Sequence, residues 1–339
     1  MRLNGCVMLL PRFDCPAAKT NTDQGVSVRY SIVIPVYGNE ETIEPLINQL
    51  RAISDQLDGA MESVFVVDGS PDNSMDRLMV LLPDSGLESQ VISHSRNFGS
   101  FPAIRTGLSW ARGDYIGVMA ADLQEPPQLM VEFFRSLSAA QADIAVGRRV
   151  TRADPALSSL ASRTFWGLYR RVINPQIPQG GVDVFACTQT VASQLLELNE
   201  AHSFLIGLLY WIGFRRIEIP YERLPRTVGT SGWTFRKRVG YLMDSLFSFT
   251  DIPIKMLGAV GGVGAVVTTV AAIVVLVAWL AGGITSPGYT PLMLVILLST
   301  FMLLGGLGIV GAYVHRTFEN TKERPIAIVM SHETISSGA

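Results

Sequence analysis

The sequence predicts an α/β protein built on a mostly parallel sheet and followed by a pair of membrane helices. Three observations carry this reading. Apolar, β-branched runs alternate with segments of helical periodicity from residue 30 to residue 150. Several of those runs end in polar or charged residues. From Met256 to Val314 the chain carries no Asp, Glu, Lys or Arg.

The elements follow in order. YSIVIPVYG (Tyr30 to Gly38) reads as a buried strand ended by Pro and Gly. The next segment places Ile43, Leu46, Ile47 and Leu50 on one helical face. ESVFVVDGSPDNS is a second strand ending in Asp68, with Asp72 and Ser74 as candidate caps for the helix that carries Leu78. SQVISHS is a third strand, and FPAIRTGLSWARG a helix closed by Gly113. DYIGVMAADLQ is a fourth strand, EPPQLMVEFFRSLS a helix entered through prolines, and ADIAVGRRV a fifth strand. In such sheets ligands bind beyond the carboxyl ends of the strands, which here carry Tyr37, Asp68, Asp122 with Gln124, and Arg148 with Arg149. Beyond residue 150, residues 154–175 read as an amphipathic helix with Trp166, Tyr169 and the basic edge of Arg163, Arg170 and Arg171. That helix fits either a membrane surface or the flank of the sheet. RRIEIPYERL is a further strand, and FRKRVGYLMDSLFSF mixes basic and aromatic residues as an interfacial helix does.

The uncharged stretch is broken by GGITSPGYTP, so it reads as two membrane helices, residues 257–281 and 291–314. Each exceeds the ~20 apolar residues that a crossing needs. Arg236, Lys237, Arg238 and Lys255 precede the pair, and Arg316, Lys322 and Arg324 follow it. Positive flanks stay inside, which places both the N-terminal region and the tail in the cytoplasm. The expected organisation is a lead-in at 1–28, a catalytic domain at 29–232, an interfacial segment at 233–255, the helical hairpin at 256–315 and a cytoplasmic tail at 316–339. A net charge of -2 over 339 residues gives no basic field for nucleic acid. Three cysteines (Cys6, Cys15, Cys187) make no disulfide framework, and four histidines make no metal-ligand spacing.

No Walker loop, nucleophile elbow or GxGxxG is present. The candidate chemistry rests on acids at strand ends. Asp68 can accept a hydrogen bond from a base or ribose, or simply start the turn that follows it. Asp122 and Gln124, read as i and i+2 of an extended segment, project to one side and suit a hard cation, Mg²⁺ or Mn²⁺. Taken alone, they fit a polar strand exit equally well.

SIVIPVYGNEETI, VVDGSPDNS, SRNFGSFPAIRTGL, GDYIGVMAADLQEPPQL, RTVGTSGWTFRKRVGYLMDSLFSFTDIPIKML and GAYVHRTFENTKERP occur in this order. Together they resemble the family 2 glycosyltransferases of the GT-A fold, in the branch that glycosylates polyprenyl phosphates, over residues 30 to 325. The resemblance implies a donor site formed by Pro35, Tyr37, Asn39, Glu40, Asp68, Arg226, Ser231 and Trp233, for a UDP- or GDP-linked sugar. It implies Asp122 and Gln124 as ligands of Mg²⁺ or Mn²⁺. It also implies Arg149, with Arg148 or Arg163, on the phosphate of the lipid acceptor, and Asp183 orienting a sugar hydroxyl. Asp122, Arg149 and Asp183 are then the catalytic set. Inverting transfer to undecaprenyl phosphate at the cytoplasmic face of a bacterial inner membrane is the implied reaction, and a homo-tetramer is the assembly of some relatives.

The sequence departs from the family pattern at three places. Ala120 stands where DADLQ has its first Asp, Asn39 where PVYNE has Glu, and Ala186 where an Arg is common. The alternatives are transfer to a polysaccharide acceptor, for which no QxxRW-type motif is present, and a non-catalytic membrane scaffold, which the change at Ala120 would suit.

Overall fold

The computed structural model describes residues 28–150, 182–198, 205–224, 252–281 and 288–336. Eight strands form one sheet: β1 (Tyr30–Val36), β2 (Met61–Val67), β3 (Glu88–His94), β4 (Tyr115–Val118), β5 (Ile144–Arg149), β6 (Phe185–Thr188), β7 (Arg216–Tyr221) and β8 (Val329–Ile335). Their order is β7-β5-β6-β4-β1-β2-β3-β8. β1 pairs in parallel with β2 and β4, β2 with β3, and β5 with β7. β6 and β8 run antiparallel to their neighbours. The expected mostly parallel α/β sheet is therefore present.

The chain steps outward from β1 through β2 to β3, then returns to lay β4 on the other side of β1. The strand order reverses between β1 and β4, which opens a crevice at their carboxyl ends. α1 (Ile43–Ser54), α2 (Ser74–Leu81) and α4 (Pro127–Ser138) pack on one face, through Leu46, Leu50, Leu78, Phe133 and Phe134. α3 (Ser100–Trp110), α5 (Gln189–Glu197) and α6 (Leu205–Trp211) cover the other, through Ile104, Leu108, Leu195 and Leu209. With helices on both faces, every residue of β2 is buried, which is why its sequence shows no alternation. Two glycines permit the close approach. A side chain at Gly107 would meet Val33 Cγ1 at 2.2 Å, and one at Gly117 would meet Met130 Sδ at 2.3 Å.

The amphipathic segment at 154–175 and the basic-aromatic segment at 235–249 lie outside the described residues, as do 1–27. Two long helices follow: α7, Ile252–Leu280, of 29 residues, and α8, Tyr289–Thr321, of 33. They pack on each other, and their outer faces expose Val263, Val267, Leu303 and Leu307. α7 begins ahead of the start expected from hydropathy, and α8 extends past both of its expected ends. Among the described residues no helix is long and apolar enough to cross a membrane. The tail is more than a tail. Residues 329–335 form β8, which covers the free edge of β3.

The tightest backbone crossing lies at the mouth of the crevice. Gly69 has φ +58°, and a Cβ there would sit 2.4 Å from the carbonyl carbon of Arg96 and 2.5 Å from the nitrogen of Asn97. Gly69→Ala is expected to cost about 1–3 kcal/mol through left-handed strain, with backbone displacement in addition. A lowered unfolding midpoint in purified protein checks this; an unchanged midpoint would show that the 96–99 loop yields freely.

Candidate active site

Asp68 follows β2 and is 3% exposed. Its Oδ1 accepts from Phe98 N at 2.9 Å and its Oδ2 from Gly99 N at 2.7 Å. His94 Nδ1 donates to Oδ1 at 2.8 Å, while Nε2 lies 2.9 Å from Thr106 Oγ1 on α3. Burial works to raise the carboxyl, but these bonds outweigh it and hold Asp68 below the usual carboxylate range. The side chain thus fastens the loop after β3 against the end of β2.

The neighbouring loops are built in the same way. Asp72 accepts from Glu40 N at 2.9 Å and from the hydroxyls of Ser70 and Ser74 at 2.6 and 2.7 Å. Glu40 in turn accepts from Asn73 N at 3.2 Å, and Asn39 Oδ1 from Tyr37 N at 3.0 Å. Of the residues expected to meet the donor, Asn39, Glu40 and Asp68 therefore make bonds within the frame, Pro35 lies in β1, and Tyr37 is half exposed at its end. Arg226, Ser231 and Trp233 lie outside the described residues.

Across the crevice, β4 ends at Val118 and the chain turns. The expectation that Asp122 and Gln124 share one side of an extended strand is corrected here. Leu123 adopts φ 60°, a left-handed conformation between them, and Gln124 N folds back to 3.4 Å from Asp122 Oδ1. Gln124 is buried, and its Nε2 donates to Leu224 O at 3.2 Å, while Leu224 N donates to Gln124 O at 2.9 Å. This second contact brings the segment after β7 alongside the turn. It carries Arg223, whose guanidinium lies 3.8 Å from Asp122 Oδ2. Arg223 was not among the residues singled out from sequence.

Arg149, at the end of β5, forms an ion pair with Asp183 just ahead of β6. β6 runs antiparallel, so its beginning meets the carboxyl end of β5. Two members of the expected catalytic set are brought together. Arg148 points elsewhere and pairs with Glu218 at 3.3 Å, while Arg163 lies outside the described residues. Glu125 completes the group and also escaped the sequence reading. It is 2% exposed, and among the described residues neither carboxylate oxygen has a hydrogen-bond partner. Burial above all, then the charge of Asp122, pushes its carboxyl up to about 7, against the pull of Arg223 and Arg149. The Nε atoms of Arg149 and Arg223 are likewise buried and unpartnered among the described residues. Three carboxyls and two guanidiniums therefore gather beside the crevice. The arrangement can grip anions and can present hard oxygen ligands.

A family model described as glycosyl transferase family 2 matches residues 31–194. The undecaprenyl-phosphate 4-deoxy-4-formamido-L-arabinose transferase of Pectobacterium carotovorum is 30% identical, covering 87% of this chain and 90% of its own. A prophage bactoprenol glucosyl transferase homolog of Escherichia coli is 27% identical, covering 89% and 98%. Among solved structures, glucosyl-3-phosphoglycerate synthase from Mycobacterium tuberculosis with uridine diphosphate superposes at a TM-score of 0.47 and 19% identity, covering 71% and 87%.

The position of Glu125 has a pH signature. Its folded value near 7 lies above the unfolded value of about 4.3. The folded state therefore binds the proton more tightly, and stability is full below about pH 4.3 and falls as pH rises towards 7. Glu125→Gln removes that loss, which is on the order of 4 kcal/mol at most. In a chelating buffer the variant is expected to unfold at higher temperature than the parent at pH 8, with the gap closing by pH 5. An equal gap at both pH values would show that Glu125 does not titrate in this range.

Proposed function

This chain belongs to glycosyl transferase family 2, and on that premise we propose that it transfers a sugar from a nucleotide diphosphate donor to a polyprenyl phosphate at the inner face of a bacterial membrane. The observation that carries the reading is the grouping of Asp122, Arg149, Asp183 and Arg223 at the carboxyl ends of β4, β5 and β7, beside the β1/β4 crevice. The acceptor is supported by the relatives, since the Pectobacterium protein is an undecaprenyl-phosphate 4-deoxy-4-formamido-L-arabinose transferase and the Escherichia protein a prophage bactoprenol glucosyl transferase homolog. The membrane placement is supported by the absence of charge from Met256 to Val314 and by the apolar side chains that α7 and α8 leave exposed.

The chemistry asks little of a general base. A phosphate monoester is already anionic near neutral pH, so the acceptor oxygen can attack the anomeric carbon unaided. The bond from that carbon to the donor diphosphate breaks as the new one forms, which inverts the centre. Arg149 is placed to hold the acceptor phosphate, exchanging its pairing with Asp183 for the incoming anion. Asp183, once released, is free to accept from a sugar hydroxyl. Arg223, beside Asp122, would face the negative charge that develops on the leaving diphosphate, the role that the family resemblance implies for Arg226.

The residues present fit a divalent cation. Asp122 and Gln124 offer oxygen donors of the kind Mg²⁺ and Mn²⁺ prefer, and the two acceptor oxygens of Glu125 lie buried without a partner among the described residues. When bound, such a cation neutralises charge on the donor diphosphate.

Transfer is tested by incubating the purified protein with Mg²⁺ or Mn²⁺, undecaprenyl phosphate and a panel of UDP- and GDP-sugars, with lipid product read by mass. Product is expected from at least one donor, and Asp122→Ala is expected to lower its rate by roughly 100-fold or more. Failure of every donor would overturn the proposal.

A further inference from the structure

We infer that Glu125 is the second protein carboxylate of the cation site, supplying the negative charge that residue 120 lacks in this chain. The inference deepens the metal-assisted reading above and rests on it.

Four observations meet at this residue. Ala120 has no oxygen to offer, so the turn after β4 is left with Asp122 and the amide of Gln124. Gln124 already donates through Nε2 to Leu224 O, which fixes its amide. Among the described residues no three or more His, Cys, Asp or Glu side chains converge closely enough to hold a metal by themselves, so Asp122 and Glu125 would share a cation with donor oxygens and water. Glu125 is the acid next along the same turn. It is 2% exposed, and both of its oxygens lack a hydrogen-bond partner among the described residues.

A buried carboxylate with unmatched acceptors is costly, and such groups persist where a ligand or ion completes them. The surrounding cations do not complete this one. Arg149 forms its ion pair with Asp183, and the Arg223 guanidinium approaches Asp122. The backbone holds Glu125 in place from the other direction, since Gln49 Nε2 donates to its carbonyl oxygen at 2.8 Å. Pro126 and Pro127 follow directly and restrict the chain beyond it. A carboxyl so placed, with two acceptors unused, suits a divalent ion that keeps part of its water shell.

The probe is Mn²⁺ alone, titrated into the full-length protein in detergent and read by electron paramagnetic resonance, without donor or acceptor. Glu125→Gln keeps the shape of the side chain and removes its charge. It is expected to weaken Mn²⁺ binding by roughly ten-fold or more. Adding Ala120→Asp to that variant is expected to restore affinity, because the charge returns at the other end of the turn. Circular dichroism and the unfolding midpoint show that each variant is folded. Unchanged Mn²⁺ affinity in Glu125→Gln, while Asp122→Ala still abolishes binding, would overturn the inference and leave the metal-assisted reading intact. Absence of Mn²⁺ binding in the parent protein would overturn both.

Discussion

The crevice depends first on the carboxylate of Asp68. It takes two backbone N–H groups from the 98–99 segment and the ring nitrogen of His94, while its own N–H reaches Val36 O at 3.0 Å. The ends of β1, β2 and β3 are joined through that one residue. Removing it would strand buried donors on the loop, and a donor left without an acceptor is worse than one never buried. Asp72, Glu40 and Asn39 repeat the device between the first two loops. The polar residues at the mouth of this side of the sheet thus shape a wall by binding each other.

The opposite wall works by charge instead. Asp122, Glu125 and Asp183 stand against Arg149 and Arg223, so one acid is always in excess until a ligand arrives. The excess falls on Glu125 because it is the most deeply buried of the three, and burial penalises the charged form. Arg149 and Arg223 present guanidiniums whose geometry matches phosphate as well as carboxylate, which a hydrophobic wall could not offer.

Much of this was legible beforehand, for identifiable reasons. The central strands announce themselves as β-branched runs because helices cover both of their faces, and Asp68, Asp122 and Arg149 follow from where such runs stop. β6 is only four residues, FACT, and lacks the length that separates a strand from a turn. β8, VMSHETI, shows no alternation of apolar and polar residues, and its pairing with β3 is decided by a distant partner. Leu123 carries no local mark of its left-handed backbone, so the turn between Asp122 and Gln124 could not be foreseen. Glu125 looks like any other acid in DLQEPP; only the fold reveals that it is buried within reach of the charges of Asp122, Arg149 and Arg223. Arg223 likewise reads as an ordinary loop cation until Leu224 pairs with Gln124.

The sheet has two edges, and each leads into one of the long helices. β7 forms one edge and precedes α7; β8 forms the other and comes directly after α8. β8 is fixed by its ladder with β3 and by His332, which stacks on Trp110 at 4.1 Å between ring centroids and bonds Gln90 at 3.0 Å. With α7 and α8 embedded in a bilayer as proposed, the short link from Thr321 to Val329 ties the β3 border of the sheet to the membrane-embedded chain. The last strand then serves as a tether as well as an edge cover.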